Sequence, residues 1–341
     1  IGTIGSAFGY EKDFIEGGSE DWVPCYLNEI RNYTNVNIKQ VVPYAPIGGL
    51  PDIREIWKKW IIKKSEAIEK DKLARLEKYI TTPIITSGVT NGIYLTCALF
   101  LNPREYIISP NKRWGNYDNI IEKHIGAEIK SFDFFKDNKI NLQSLKETIE
   151  DVANRQDKVI IILNFPNNPT GYNPTYQEAR DLIKLLKDTY YLIRKPMVII
   201  VDDAYEYYVY TDKHIKNSLF FELHQLDEDI IPIKLDGITK ELLMYGGRIG
   251  FVTIGLKPNW VKNDEEMDIL KREVNNKLEG MNRSTISNCN HFYQAITQKL
   301  FDEMGMDKII EAQNVVINLL KERYEKINSE LAKINNPDVS V

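Results

Sequence analysis

The sequence has few of the residues that form disulfide frameworks, zinc sites or membrane spans. Its 341 residues include three cysteines, odd in number and far apart, and four histidines without an HExxH pattern. We therefore predict neither a disulfide framework nor a histidine-based zinc site. The longest apolar runs, such as 159–163, are strand-sized and much shorter than the roughly 20 residues that a membrane helix needs.

Basic residues are not in excess either. The 44 Lys and Arg residues against 49 Asp and Glu residues give a net charge of −5, which argues against a general polyanion binder. The chain begins without Met and without a basic stretch leading into an apolar core, so we predict no intact signal peptide. We expect a cytoplasmic protein with no metal ion, nucleic acid or membrane as a partner. Both ends look cut, and we expect a piece of a longer polypeptide.

Apolar strands alternate with amphipathic helices from about residue 50 to 255. This alternation is typical of a three-layer α/β fold, in which a mainly parallel sheet carries helices on both faces. The predicted strands are 82–86, 106–109, 128–132, 159–163, 197–201, 231–235 and 250–254, and the predicted helices are 50–66, 90–101, 116–124, 142–152 and 174–190.

The pattern changes after about residue 264, where three helical segments, 265–279, 284–304 and 308–334, follow one another. The chain length corresponds to roughly two domains. We predict a large domain over 41–282. A smaller, truncated α/β domain would combine 1–40 with 283–341.

Polar and small residues follow several predicted strands, where ligands bind in open parallel sheets. Ser87 to Thr90 open a helix with small residues, which indicates either a phosphate cradle or a plain N-cap. Asn168 lies in a loop with two prolines and a glycine, which indicates a rigid ligand loop or a well-made turn. Asp202 ends an apolar strand, where a buried carboxylate needs a partner, although a solvated acidic turn is the alternative.

Lys240 and Arg248 lie eight residues apart, with a short apolar piece between them. Alone, a lysine is most often a solvated surface group. Together, however, the lysine, the arginine, the helix start, the asparagine and the aspartate meet the demands of one ligand. A phosphorylated pyridine aldehyde needs a phosphate site, a carboxylate for its ring nitrogen, donors for its ring oxygen and an amine. Pyridoxal 5′-phosphate is such a ligand.

The same motifs, in the same order over residues 40 to 290, resemble those of the class I/II aminotransferases, the aspartate-aminotransferase-like group of fold type I enzymes. The resemblance implies the three-layer large domain of that fold type. It rests on Tyr44-Ala45-Pro46-Ile47-Gly48-Gly49-Leu50, Gly88-Val89-Thr90, Trp114-Gly115-Asn116, Asn168-Pro169-Thr170-Gly171, Asp202-Asp203-Ala204-Tyr205, and Lys240 with Arg248.

The resemblance assigns roles around the cofactor ring. It implies that Lys240 forms a Schiff base with pyridoxal phosphate and then shuttles protons during transfer of an amino group between an L-amino acid and a 2-oxoacid. Asp202 would keep the ring nitrogen protonated. Asn168 and Tyr205 would donate hydrogen bonds to the ring oxygen, and Trp114 would stack on the ring.

The resemblance also implies a phosphate site and a homodimer with shared active sites. Arg248, Thr90 and the amides of Gly88 and Val89 would hold the phosphate. Tyr44 matches a tyrosine that reaches the phosphate of a neighbouring subunit. For the substrate, Arg283 resembles an arginine that binds the side-chain carboxylate of aspartate or glutamate in the partner's site, with a surface arginine at a helix start as the alternative.

Three departures from the family pattern stand out. Gly237 replaces a serine or threonine that usually contacts the phosphate, and Thr239 is its nearest substitute. Tyr117 stands where the aspartate enzymes have a histidine that supports the ring aspartate. In the family an arginine late in the chain binds the substrate α-carboxylate, and no residue before Val341 is identified as its counterpart.

Two other functions share these motifs. One is a different reaction on the same cofactor, as in a C–S lyase, a decarboxylase or a synthase. The other is a non-catalytic, aminotransferase-like module that binds a ligand. An aminotransferase acting on aspartate or glutamate, or on an aromatic amino acid, is the function that the sequence favours.

Overall fold

The computed structural model describes residues 6–65 and 69–333. A seven-stranded sheet forms its centre, in the order β3-β11-β10-β9-β8-β4-β5. Only β11 runs antiparallel to its neighbours, so the prediction of a mainly parallel sheet is confirmed. These strands are β3 (Ile84–Thr86), β4 (Tyr106–Pro110), β5 (Glu128–Phe132), β8 (Val159–Asn164), β9 (Met197–Asp202), β10 (Ile230–Gly237) and β11 (Gly250–Ile254).

Two small antiparallel pairs lie outside this sheet, β1 (Phe8–Tyr10) with β2 (Trp22–Pro24) and β6 (Phe135–Lys136) with β7 (Lys139–Ile140). The helices are α1 (Ile30–Tyr33), α2 (Ile38–Val41), α3 (Pro51–Lys64), α4 (Lys70–Tyr79), α5 (Gly88–Phe100), α6 (Asn116–Asp118), α7 (Leu142–Ala153), α8 (Tyr176–Ile193), α9 (Leu219–His224), α10 (Ile238–Glu241), α11 (Asp264–Thr285), α12 (His291–Met304) and α13 (Met306–Leu331). A π-helical segment, Asn119–Ile125, continues α6.

β8 and β9 are apolar up to their last residue because helices cover both faces of the sheet. Successive side chains of a strand point to opposite faces, and in β8 Ile160 and Ile162 join one buried cluster while Ile161 and Leu163 join the other. Every residue of β8 and β9 is buried. The two clusters therefore pack the helical layers against the two faces of the sheet.

The observed elements differ from the predicted ones mainly at their ends. α8 begins at Tyr176 instead of Pro174, because Thr175 and Glu178 form a capping box. The predicted helix 265–279 continues to Thr285, and the predicted helix 284–304 starts only at His291. α4 was not predicted, since Leu76 is its one buried residue. The predicted helix ends at residues 66 and 334 lie outside the described residues.

The N-terminal segment packs against the C-terminal helices. Phe14, Leu27 and Tyr33 belong to the same buried cluster as Trp57 of α3 and Phe301 of α12. The division into a domain over 41–282 and a second one from 1–40 and 283–341 stays a prediction. No helix in the part of the chain that the structure describes is long and apolar enough to cross a membrane.

Candidate active site

A cavity of about 450 Å³ lies at the carboxyl edge of the central sheet, where β8, β9 and β10 end and α5 begins. Ligands bind at this edge in open α/β sheets. Residues of five chain segments line the cavity: Val89, Thr90, Trp114, Asn164, Asn168, Asp202, Ala204, Tyr205, Gly237, Thr239, Lys240 and Arg248. Eight of the residues predicted from the sequence for the catalytic or cofactor site are among them: Val89, Thr90, Trp114, Asn168, Asp202, Tyr205, Lys240 and Arg248.

Asp202 is the last residue of β9 and is only 4% exposed. Its Oδ2 accepts a hydrogen bond from the Tyr117 hydroxyl at 2.5 Å, and its Oδ1 accepts one from the Ala204 amide at 3.1 Å. Burial raises the pKa of Asp202, and these two donors partly offset that rise. The carboxylate is held in one orientation at the cavity wall, where it can pair with a cationic ring nitrogen.

Tyr117 fills the position at which the sequence lacks the histidine of the aspartate enzymes. Burial raises the pKa of Tyr117 well above its usual value, so its hydroxyl remains a donor. Its ring also meets the Trp114 ring edge to face, with centroids 5.7 Å apart. In the sequence, Tyr117 is a departure from the family pattern. The structure shows that it supplies the missing support for Asp202.

Lys240 lies on α10, the single helical turn that follows β10. The Tyr208 hydroxyl donates to the Lys240 carbonyl at 2.8 Å and so ties this turn down. The Lys240 Nζ is 5.2 Å from the centre of the Tyr245 ring and 5.8 Å from that of the Tyr205 ring. Burial and the Arg248 guanidinium lower the pKa of Lys240, which increases the fraction of neutral, nucleophilic amine.

The helix start and Arg248 approach each other closely. Gly88, the first residue of α5, has a φ of 76°, and a Cβ there would lie 2.5 Å from the Arg248 Nη2. A Cβ on Gly250 would lie 2.5 Å from the Gly88 carbonyl carbon. Only glycine at both positions allows this packing. The arrangement combines a guanidinium, the Thr90 side chain and free helix-start amides, which suits a phosphate.

The loop after β8 presents two asparagines. The Asn164 Nδ2 donates to the backbone carbonyl of Asp202 at 2.8 Å, and the backbone N–H of Asn168 donates to the Asn164 Oδ1 at 2.7 Å. Asn164 was not predicted as a site residue, although it directly follows a predicted strand. It links the loop that carries Asn168 to the end of β9. The Phe165–Pro166 and Asn168–Pro169 peptide bonds are cis.

Two residues of the predicted site lie on the surface of the chain, outside the cavity lining. Tyr44 is 90% exposed. Arg283 is exposed in the last turn of α11, and its Nη1 donates to the Ser287 hydroxyl at 2.8 Å. Arg283 therefore lies at the end of a helix, so the alternative of a helix start is wrong. The roles of Tyr44 and Arg283 in a neighbouring subunit stay predictions. Among the described residues, no group of three or more His, Cys, Asp or Glu side chains is arranged to hold a metal ion.

The chain is similar to several known proteins. The family model for aminotransferase class I and II matches residues 37–341. A probable aspartate/prephenate aminotransferase of Aquifex aeolicus is 24% identical over 298 residues, which are 87% of this chain and 65% of that protein. A probable aspartate aminotransferase of Methanocaldococcus jannaschii is 26% identical over 68% of this chain and 52% of its own length.

Solved structures show the same fold. An aminotransferase from Anaerococcus prevotii has a TM-score of 0.75 and 25% identity, over 91% of this chain and 71% of that chain. An aromatic aminotransferase from Pyrococcus horikoshii has a TM-score of 0.68 and 19% identity, over 92% of this chain and 73% of that one. The chain spans about half to two thirds of the length of the curated relatives described above.

Proposed function

The chain belongs to the class I and II aminotransferase family, and we propose that it transfers an amino group between an L-amino acid and a 2-oxoacid with pyridoxal phosphate bound in the cavity. Membership of the family predicted from the sequence motifs, and the α/β fold with its mainly parallel sheet, are thus confirmed. The observation that carries the proposal is that Lys240, Asp202 and Arg248 line one cavity.

The residues of the cavity fit this cofactor. A buried carboxylate, an amine with a lowered pKa and a helix start beside a guanidinium are the three features that its ring, aldehyde and phosphate require. The absence of a Cβ on Gly88 leaves space for the Arg248 guanidinium directly over the helix start. When bound, the cofactor supplies an aldehyde for the amine and a ring that withdraws electrons from the substrate α-carbon.

The chain's own side chains would then bind the ring and move protons. The Asp202 carboxylate would hold a proton on the ring nitrogen, with Tyr117 keeping that carboxylate in place. The side-chain amide of Asn168 and the Tyr205 hydroxyl would donate to the ring oxygen. Burial raises the pKa of Tyr205, so the phenol would keep the proton that it donates. The Lys240 Nζ would be the amine that the aldehyde requires, and it would accept and return the proton of the substrate α-carbon.

The phosphate would be held at the opposite end of the cavity. Arg248 and the amides of Val89 and Thr90 provide a charge and helix-start donors. Gly237 has no hydroxyl, but the Thr239 side chain also lines the cavity and lies 3.5 Å from the Arg248 Nη1 through its Oγ1. Thr239 would therefore take the place of the missing hydroxyl. Trp114, which also lines the cavity, would stack on the ring.

A homodimer is part of the proposal. An exposed Tyr44 is available to reach the phosphate of a second copy, and an exposed Arg283 is available to pair with a substrate carboxylate in the partner's cavity. The relatives of this chain include aspartate and aromatic aminotransferases. Aspartate or glutamate is the amino donor that Arg283 favours.

Product analysis tests the proposed reaction against other reactions of the same cofactor. The chain is incubated with pyridoxal phosphate, aspartate and 2-oxoglutarate, and all four amino and oxo acids are quantified. We expect glutamate and oxaloacetate in equal amounts. Alanine and carbon dioxide without glutamate would indicate a decarboxylase. In a parallel incubation with a cysteine S-conjugate, release of the thiol with pyruvate and ammonia would indicate a C–S lyase. Spectral binding of the cofactor without any product would indicate a non-catalytic module.

A further inference from the structure

A cluster of six buried charged side chains lies on the opposite side of β9 and β10 from the cavity lining. Its members, the ionic network, are Lys64, Asp203, Glu206, Lys234, Asp236 and Glu241. None of these side chains is more than 5% exposed. Two amines face four carboxyl groups, so the network would carry a charge of −2 if all six were ionised. The mechanism proposed above uses none of them.

Hydrogen bonds connect the two ends of the ionic network, Asp203 and Glu241. Glu206 stands at its centre, because its Oε2 contacts the Nζ of Lys64 at 2.7 Å and that of Lys234 at 2.8 Å. Lys234 also donates to Asp203, and Lys64 donates to the Glu241 Oε1 at 2.8 Å. A chain of hydrogen bonds therefore joins Asp203 to Glu241.

Each end of this chain is next in sequence to a residue of the cavity. Asp203 follows Asp202, and Glu241 follows Lys240. In both pairs the first side chain lines the cavity and the second belongs to the ionic network. The network thus connects the backbone that carries the carboxylate to the backbone that carries the amine.

Neutral groups complete the network. The Trp60 Nε1 donates to the Glu241 Oε1 at 2.7 Å, the Trp57 Nε1 donates to the Asp236 Oδ1 at 2.9 Å, and the Ser218 hydroxyl donates to the Asp203 Oδ2 at 2.6 Å. The Tyr207 ring centre lies 5.7 Å from the Lys64 Nζ. With Tyr207, the six charged members account for the titratable groups facing the network from α3, α10, β10 and the segment after β9.

Protons near neutral pH relieve the excess negative charge. Burial, only partly offset by Lys234, raises the pKa of Asp203 to about 7, and burial, only partly offset by Lys64, raises that of Glu241 to about 7. Burial would raise the pKa of Glu206 as well, but the two lysines outweigh it and lower the value to about 2. Glu206 stays ionised and keeps both lysines paired while the outer carboxyls bind protons.

We propose that Asp203 and Glu241 are positioning residues for Asp202 and Lys240, and that the ionic network holds the two cavity residues in register most firmly when it carries its extra protons. The proposal rests on the function proposed above. Loss of these protons leaves net charge among buried side chains, where like charges repel strongly. The turn that carries Lys240 therefore loosens as the pH rises through about 7.

Amide hydrogen exchange of segment 238–245 tests the network in the full chain without added cofactor. After correction for intrinsic exchange rates, we expect wild-type exchange to rise about tenfold between pH 6.5 and 8.5, because opening exposes two carboxyls to water and releases their protons. In the double variant Asp203→Asn with Glu241→Gln, two amines face two carboxylates. Its exchange should rise less than about threefold.

Glu228→Gln is the matched control. Glu228 is also buried and paired, with the Tyr191 hydroxyl at 2.6 Å and the Lys187 Nζ at 3.0 Å, but it precedes β10 at the other edge of the sheet. It should keep the wild-type pH dependence. An equal pH dependence in the wild type and the double variant, or an equal flattening in Glu228→Gln, would overturn the proposal. If the double variant does not fold, Glu241→Gln alone must reduce the rise to about threefold, and an unchanged rise overturns the proposal.

Steady-state kinetics provide a second test, which can contradict the positioning role independently of the exchange experiment. Glu241→Ala should lower kcat about tenfold with a nearly unchanged KM for the amino acid, and Glu241→Gln should restore kcat, since its Oε1 still accepts from Trp60 and Lys64. Equal losses in both variants would overturn the positioning role. A wild-type chain without transamination would contradict the proposed function and leave the exchange result standing. A transaminating chain whose exchange is unaffected by the variants would contradict the network alone.

Discussion

A lysine with a lowered pKa lies at each edge of the central sheet, Lys240 half-buried and Lys257 fully buried, but of these two only Lys240 faces the cavity. Lys240, at the carboxyl edge, lines the cavity beside Arg248. Lys257, at the opposite edge, is fully buried, and burial lowers its pKa to about 7. Its Nζ donates to the carbonyls of Leu223 at 3.2 Å and Leu226 at 2.8 Å.

The difference teaches that burial alone does not make an amine reactive. Lys257 is fully buried and its amine donates to two backbone carbonyls, so the packing around it leaves no room for a ligand. Lys240 lines a cavity of about 450 Å³ together with the Asp202 carboxylate and the Arg248 guanidinium. A perturbed pKa points to function only where such groups converge.

Replacing each lysine in turn gives the largest contrast between the two edges. Lys240→Ala should lower kcat for aspartate and 2-oxoglutarate by roughly a thousandfold or more, because it removes the amine that moves the proton. Lys257→Met should change kcat less than about twofold, since its site is far from the cavity. Steady-state assays at saturating cofactor measure both values. A fully active Lys240→Ala chain would refute the assignment.

A buried aspartate, Asp202, and a half-buried one, Asp229, sharpen the same comparison. Asp202→Asn should lower kcat about a hundredfold, because the neutral amide no longer holds a proton on the ring nitrogen. Tyr117→Phe should cost about tenfold, since the Ala204 amide still supports the carboxylate. The matched control is Asp229→Asn at the opposite edge, where the Trp260 Nε1 donates to the Asp229 Oδ1 at 2.9 Å. We expect this control to keep the wild-type kcat, and a comparable loss in it would contradict the account.

Two helical glycines distinguish a glycine that the site requires from one that it does not. Gly88→Ala places a Cβ against Arg248 at a positive φ, so it should weaken cofactor binding about tenfold and lower the free energy of unfolding by about 1 kcal/mol. Gly280→Ala, within α11 and with open space around its Cβ, should raise the free energy of unfolding by about 0.5–1 kcal/mol. Cofactor titration and denaturant unfolding measure these effects. Equal cofactor affinity in both variants would contradict the proposed cradle.

The pH dependence of the free energy of unfolding tests Lys257, at the opposite edge of the sheet. A buried Lys257 with a pKa of about 7 binds fewer protons in the folded state than in the unfolded state between about pH 7 and 10. Its contribution therefore makes the free energy of unfolding rise with pH in this window, by on the order of 1–2 kcal/mol from pH 7 to 9. Lys257→Met should remove this part of the slope in denaturant titrations. An unchanged slope would show that Lys257 is charged in the folded state.

Much of the fold was predictable because the signals are local. Apolar runs such as 159–163 and 197–201 mark buried parallel strands, and the residues that follow them are the ones that line the cavity. Lys240 lies in the helical turn after β10, and Arg248 lies two residues before β11. A spacing of eight residues in the sequence therefore brings both side chains to the same cavity. Helix ends at Tyr176 and His291 were less predictable, since caps and breaks depend on single side chains.

Groups that meet from distant parts of the chain could not be predicted. Tyr117 donates to Asp202 across 85 positions, and Lys64 pairs with Glu206 across 142. In the sequence Lys64 is one more lysine at the end of an amphipathic helix, and nothing local distinguishes it from its exposed neighbours. Only the packing of α3 against the sheet shows that this amine is buried and why four carboxyl groups can surround it and Lys234.

Reductive trapping tests the central claim most directly. The chain is mixed with pyridoxal phosphate, reduced with borohydride, digested and analysed by mass spectrometry. We expect one equivalent of reduced cofactor on the peptide that contains Lys240 and none on the peptide that contains Lys257. Trapping on Lys257, a distribution over surface lysines, or no trapping under conditions in which the chain is folded would contradict the claim that Lys240 is the amine at which the chemistry of this cavity takes place.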